Sequence, residues 1–435
     1  MYKRTRIAYF LYSLLFYLAL PLVILRLVWR SRKQPAYRQR IKERFGFVTP
    51  ASKKSIWIHS VSVGESIAAM PMIKKIVAQH PEYNVHVTTT TPGGSEQITT
   101  HLGDLVTHSY LPFDVPHLLV RFIKRIKPVL YVGMETEIWP NLLRICQRRH
   151  IPSLVANGRL SEKSFHNYAR VFFFSHDMFG FITHIAAQSE LDAQHYAGLG
   201  VPKNKISITG SIKFDRTIPT DITTEATALR HHWQLSERPV IVAASTRDGE
   251  EPYLIDAYIT LKKTHPETFL FLIPRHPDRA KLVAELCQKR GFKTQFRSEV
   301  SNDDPLNCDI LIGNTIGELF LFYALGDIAF VGGSLVNVGC HNVLEPAALA
   351  MPIITGPYLR NFKTICAMLQ HANGQLVVHN ADELSNAFKT LIEQPDQRKT
   401  IGHNALTIYE SNKGATQKHL DIIKQLLDTA ANTQV

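Results

Sequence analysis

Cysteine is scarce and scattered in this 435-residue chain. Cys146, Cys287, Cys308, Cys340 and Cys366 are odd in number and form no C-x-x-C pair. A disulfide framework and a zinc ribbon are thereby excluded, and a reducing compartment fits best. The histidines form neither H-E-x-x-H nor H-x3-H on a helix, so no metal site is expected. Walker A, G-x-S-x-G and D-x-D patterns are missing, as are internal repeats, heptads and low-complexity tracts. Acidic residues are almost missing from positions 1–50, where eleven Lys/Arg stand against Glu43 alone, a net of +10 out of the chain's +12. The basic charge therefore belongs to the N-terminus, and no nucleic-acid partner is expected.

Charge is absent altogether from Ile7 to Leu25, nineteen residues that suffice to cross most of a bilayer as a helix, with Pro21 a possible kink. No small-x-small cleavage site follows, which favours an uncleaved anchor over a signal peptide. Lys3, Arg4 and Arg6 precede the stretch; Arg30, Arg32, Lys33, Arg38, Arg40, Lys42 and Arg44 follow it. That bias favours a cytoplasmic C-terminal bulk, reached by a single-pass or a monotopic anchor, and a collar suited to anionic phospholipid.

Beyond residue 50 the pattern turns to strand and helix in alternation. Expected strands are 55–61, 84–91, 129–135, 153–157, 184–188 and 206–209, then 239–244, 269–274, 310–312, 328–331 and 352–355. The reading is an anchor with a basic segment (1–50), an α/β domain (51–215), a connection (216–237) and a second α/β domain with a helical tail (238–435). Two doubly wound Rossmann-like domains are expected to face one cleft, with ligands beyond the carboxyl ends of the strands.

The candidate residues sit at those ends. Asp327–Pro346, DIAFVGGSLVNVGCHNVLEP, reads as strand, glycine turn, loop and helix. Gly332 and Gly333 allow close backbone approach, and a helix starting near Asn342 would put Asn342 and Glu345 on one face beside N–H groups that favour an anion. In His59–Glu65, HSVSVGE, Glu65 is a possible base, although Ser62 and Glu65 also have capping-box spacing. A helix start lowers a carboxyl pKa, so a base there needs apolar burial. Glu135 in METEIWPN could stabilise positive charge on a sugar and Lys213 in GSIKFD a departing phosphate, unless both are structural ion-pair members. Asn157, Arg159 and Arg170 could meet an anionic acceptor. Arg275 and His276 of PRHP suit a phosphate or carboxylate, and Gly317, Glu318 and Leu319 mark another helix start.

In order, HSVSVGE, TTTTPGG, YLPFD, ETEIWPN, NGRLSEKS, GSIKFD, PRHP, IGEL, FVGGSL and HNVLEPA resemble the motifs of the 3-deoxy-D-manno-octulosonic acid (Kdo) transferases. The resemblance runs from the anchor to about residue 366 and implies a GT-B fold at the inner membrane, catalytic domains on the cytoplasmic side. It implies inverting transfer of Kdo from CMP-Kdo to the lipid A precursor, without metal or other cofactor. Glu65 would be the general base, Glu135 and Lys213 the transition-state stabilisers. Arg275, His276, Ile316, Gly317, Glu318, Asn342, Val343, Leu344 and Glu345 would hold CMP. The family commonly has a glycine and a proline where this chain has Cys340 and Val343, which implies altered loop stiffness. The competing readings are another membrane-bound GT-B transferase or a UDP-sugar epimerase, and a non-catalytic scaffold on anionic lipid.

Overall fold

A computed structural model describes residues 3–32, 34–215 and 218–433. Lys33 and Arg216, both part of the sequence reading, lie outside the described residues, as do the side chains of Lys3 and Arg4. The chain forms two compact units, residues 1–216 with 413–435, and residues 217–412.

The first unit holds seven parallel strands: β1 (Ser55–His59), β2 (Asn84–Thr89), β3 (Thr107–Tyr110), β4 (Pro128–Met134), β5 (Ser153–Gly158), β6 (His184–Ala187) and β7 (Ile206–Ile208). Their order is β3-β2-β1-β4-β5-β6-β7. Central strands are buried on both faces, as the apolar run PVLYVGM of β4 requires. The order reverses between β1 and β4, where a doubly wound sheet opens a crevice at the strands' carboxyl ends.

The second unit repeats the plan with β8 (Val240–Thr246), β9 (Phe269–Pro274), β10 (Thr294–Phe296), β11 (Ile310–Ile312), β12 (Ile328–Val331), β13 (Ile353–Thr355) and β14 (Gln375–Val377). Their order is β10-β11-β9-β8-β12-β13-β14, so the reversal falls between β8 and β12.

Three features differ from the sequence reading. Residues expected to be a connection contain the helix Ile222–His232, whose Ile222, Ala226 and Leu229 join Trp233 in the second unit's core. Their spacing of four, three and four is one helical face, which outweighs the lapse in strand signals. The helical tail divides: Ala381–Glu393 and Pro395–Ser411 stay with the second unit, whereas Ala415–Thr433 returns to the first and buries Leu420, Ile423 and Leu427 against its sheet. The basic collar is partly internal. Arg44 is buried, donates to the Thr90 carbonyl at 2.8 Å and lies over the Tyr110 ring, and Arg40 bonds Glu43, Ser95 and the His108 carbonyl.

The N-terminal helix Lys3–Arg30 contains an apolar segment, Arg6–Arg30, long enough to cross a membrane by length and composition. All five cysteines are free thiols.

Candidate active site

At the β1/β4 crevice of the first unit the chain leaves β1 and enters the helix Val63–Gln79, capped by Ser62. Glu65 stands in its first turn. One carboxylate oxygen accepts the Val61 N–H at 2.8 Å and the other the Ser62 hydroxyl at 2.9 Å, so the capping arrangement is formed. Burial nevertheless pushes the Glu65 pKa up, assisted by Glu135 and Glu137, against the downward pull of those two hydrogen bonds. The cap and the raised pKa coexist because desolvation outweighs the donors.

TTTTPGG supports this turn. The Thr91 hydroxyl donates to the Val61 carbonyl at 3.0 Å, and a Cβ on Gly93 would lie 2.8 Å from Val63 Cγ2. Glycine there lets the second loop press against the first.

Glu135 follows β4 directly with φ +52°, a left-handed backbone that costs a non-glycine residue free energy and that its N–H bond to Ala156 helps to hold. Its carboxylate lies 3.3 Å from Lys213 Nζ. The structure thus brings Glu65, Glu135 and Lys213 together. It adds Glu137, which the sequence reading did not single out: its carboxylate accepts the Trp139 indole N–H at 2.8 Å and lies 3.3 Å from Nε2 of the buried His59. The only signal was the E-T-E repeat at a strand's end.

Asn157, expected to meet an acceptor, is buried instead. Its side-chain oxygen accepts the Ile212 N–H at 3.2 Å and its own N–H donates to His419 Nε2 at 2.8 Å. Asp215 accepts the N–H groups of Gly414 and Thr416. The segment carrying Lys213 is held on both sides by the returning C-terminal helix.

In the second unit the glycine loop after β12 does not present free N–H groups. Those of Gly333, Ser334 and Leu335 donate at 2.6, 2.8 and 2.8 Å to Glu250, a fully buried carboxylate that also takes the Arg247 N–H at 2.8 Å. The close backbone approach expected at Gly332 and Gly333 is made by an internal anion, which occupies the turn's donors. Nor does a helix begin at Asn342. Asn342 accepts the Leu344 N–H at 3.1 Å in a turn, and the helix is Leu344–Ala348. Asn342 and Glu345 therefore share no helical face, and the side chains of Val343, Leu344 and Glu345 are buried. Cys340 and Cys366 are both buried, and the neighbouring Cys366 together with burial pushes the Cys340 pKa up.

Positive groups collect instead at the β8, β9 and β12 ends. Arg247 Nη1 meets His276 Nε2 at 2.6 Å. Burial and the nearby Arg247 and Arg275 lower the His276 pKa; burial first, then Arg275 and Arg247, lower that of His341 to about 4. Among the described residues, Arg247 Nε and His341 Nε2 are buried without hydrogen-bond partners. Two arginines and two histidines thus stand together, and these two are the buried polar atoms among them left unpaired among the described residues. One strand beyond β9, the loop after β11 carries Ile316, 89% exposed, and Gly317 at φ +93°, while Glu318 bonds Arg297 at 2.8 Å. Arg247 was not singled out from sequence, whereas His341 belongs to the motif HNVLEPA.

Two parallel Rossmann-like units, with an acidic cluster at one topological switch and a cationic site at the other, are the parts of a GT-B nucleotide-sugar enzyme. Similar folds are a glycosyltransferase from Rickettsia africae (TM-score 0.58, 15% identity, 87% of this chain and 99% of that one) and a UDP-GlcNAc 2-epimerase from Neisseria meningitidis (TM-score 0.57, 15% identity, 86% and 100%). Within that class the chain belongs to the 3-deoxy-D-manno-octulosonic acid transferase family. Residues 39–216 match the family model described as 3-Deoxy-D-manno-octulosonic-acid transferase (kdotransferase). A 3-deoxy-D-manno-octulosonic acid transferase of Haemophilus influenzae is 40% identical over 424 residues, 96% of this chain and 99% of that one; one of Bordetella pertussis is 30% identical over 380 residues, 86% and 87%. The protein is a glycosyltransferase.

Proposed function

We propose that the chain transfers Kdo, with inversion, from CMP-Kdo to a hydroxyl of the lipid A precursor at the cytoplasmic face of the inner membrane, and that Glu65 is the general base. The observation that carries this reading is the meeting of Glu65, Glu135 and Lys213 at the β1/β4 crevice, where Lys213 Nζ lies 3.3 Å from Glu135 and burial pushes the Glu65 pKa up. As the acceptor oxygen bonds to the anomeric carbon of Kdo, its proton passes to Glu65 and the sugar–phosphate bond breaks, releasing CMP. Glu135, held at its strained backbone, meets positive charge developing on the sugar, and Lys213 supplies a cation for the departing phosphate.

Arg247 and Arg275 supply the cations for the CMP phosphate, with His276 and His341 beside them and Ile316, Gly317, Glu318 and the Asn342–Glu345 backbone completing the nucleotide contacts. With guanidinium groups in place, the donor's phosphate and carboxylate need no metal clamp. The exposed apolar helix Lys3–Arg30, with Arg26, Arg30, Arg32 and Arg38 near its end, suits an anionic bilayer that supplies the lipid acceptor.

Glu65→Gln keeps an oxygen for the Val61 N–H but cannot take a proton. Turnover of CMP-Kdo with a lipid A precursor is expected to fall at least about 100-fold, with CMP affinity unchanged. Unaltered turnover would remove Glu65 from the role of base.

A further inference from the structure

The N-terminal helix is held side-on to the first unit. Tyr12 donates to Asp114 at 2.8 Å, Ser13 to Asn141 at 3.1 Å, and Tyr17 meets His117 Nδ1 at 2.5 Å. Between and beyond them Phe16, Leu20, Val23, Ile24 and Leu27 pack around Phe113, Val115 and Leu118. Tyr9 is also buried here, with Phe174 at 4.9 Å. From Tyr9 to Leu27 the helix rises ~27 Å, close to the ~30 Å of a hydrocarbon core. A helix crossing the membrane would carry Asp114, Asn141, His117 and their loops into hydrocarbon, where irregular backbone and ionisable groups are not tolerated facing lipid.

Among the described residues nothing covers the opposite face. Phe10, Leu14, Leu18, Leu22, Leu25 and Trp29 are exposed and follow one another at intervals of four or three, a single stripe on the side away from the docked residues. Exposed arginines stand at its ends, Arg6 at one and Arg26, Arg30 and Arg32 at the other, and residues 1–42 contain no acidic side chain. That charge complements anionic headgroups. Beside the helix a second apolar group is exposed: Val171, Phe172 and Phe173, the last 79% accessible. Phe174, next in the chain, lies 4.9 Å from Tyr9 and 5.7 Å from Tyr12, so this tip is carried by the same docking contact.

We infer that the helix lies in the plane of an anionic bilayer, between the first unit and the lipid, and that Val171-Phe172-Phe173 enters the same leaflet as a second wedge. The inference rests on the membrane reading above and specifies its mode. The bilayer contact is monotopic, and both ends of the helix stay on the side of the catalytic units.

The test adds the full-length protein, with Cys308→Ser as background, to preformed sealed vesicles of phosphatidylcholine and phosphatidylglycerol, and recovers bound protein by flotation. Arg6→Cys and Arg32→Cys are each treated with a membrane-impermeant maleimide. Both are expected to react fully from outside; protection of Arg6→Cys until the vesicles are permeabilised would overturn the in-plane arrangement. Phe173→Ser, at a site too exposed to threaten folding, is expected to raise the lipid concentration for half-binding about tenfold, and unchanged binding would overturn the wedge. Protein that does not float at all would instead sink the membrane reading itself.

Discussion

Glu250 accepts the backbone N–H of Gly333 at 2.6 Å and fills the glycine turn from inside the fold. Its four N–H partners let a buried carboxylate persist, although desolvation still pushes its pKa up. The same carboxylate fixes the Arg247 backbone at 2.8 Å, so it shapes the loop and places an arginine of the anion site. Glu250→Gln would turn an amide NH2 toward N–H donors. A loss of about 1–3 kcal/mol in stability is expected, read by denaturant unfolding, together with weaker CMP binding by calorimetry. Wild-type CMP affinity in a folded variant would show that the loop does not set the site.

Arg247 itself tests the anion site. Removing a charge-assisted hydrogen bond to phosphate costs about 1.5–3 kcal/mol, so Arg247→Ala is expected to weaken CMP about 10- to 150-fold and to raise the His276 pKa by relieving a like charge. Titration of His276 by NMR provides a readout that misfolding would not mimic. UDP is expected to compete poorly in the wild type; equal competition by UDP and CMP would favour the epimerase-like alternative.

His341 contributes to the pH dependence of the second unit's stability. Its pKa falls from 6.5 in the unfolded chain to about 4 when folded, so the unfolded state binds more protons between those values. This contribution is complete above about 6.5 and is lost as pH falls through about 4. Thermal melts are expected to show that loss, and His341→Gln to flatten it in the same window. A variant that melts with wild-type pH dependence would remove His341 as the cause.

Much of this site was legible because strand ends punctuate the sequence. Arg275 and Glu135 both follow apolar runs, and a parallel sheet must put such residues on its carboxyl rim. The strands missed, Thr107–Tyr110, Thr294–Phe296 and Gln375–Val377, are the short outer ones, where THSY, TQF and QLV carry little apolar signal. Long-range pairings were invisible for another reason. Nothing local in Glu250 announces a glycine turn 83 residues away, and nothing in His419 announces Asn157, 262 residues back. Asn342 was misplaced because a side chain bonding its own backbone imitates a helix start.

Glu137 offers a test of how Glu65 is tuned. Its negative charge is one of the causes that raise the Glu65 pKa, after burial and Glu135. If Glu65 must be ionised to act, turnover falls on the acid side as it gains a proton. Glu137→Gln removes a like charge, lowers the Glu65 pKa and moves the acid limb of the kcat profile to lower pH. A limb that stays in place would mean that Glu65 does not set it; a limb that moves up would contradict the sign of the interaction.

The C-terminal helix makes the last prediction. His419 Nδ1 donates to the Ala415 carbonyl at 2.7 Å, which leaves Nε2 unprotonated to accept the Asn157 N–H at 2.8 Å. Asn157 sits at φ +53° and its side chain holds Ile212, the neighbour of Lys213. His419→Ala therefore leaves a buried N–H without a partner, at a cost of about 1–3 kcal/mol, and loosens the segment that keeps Lys213 3.3 Å from Glu135. Since His419 lies in the first unit and the proposed CMP contacts in the second, kcat is expected to fall while CMP affinity holds. A fall in stability alone, with kcat intact, would make the helix a structural clasp and free Lys213 from its control.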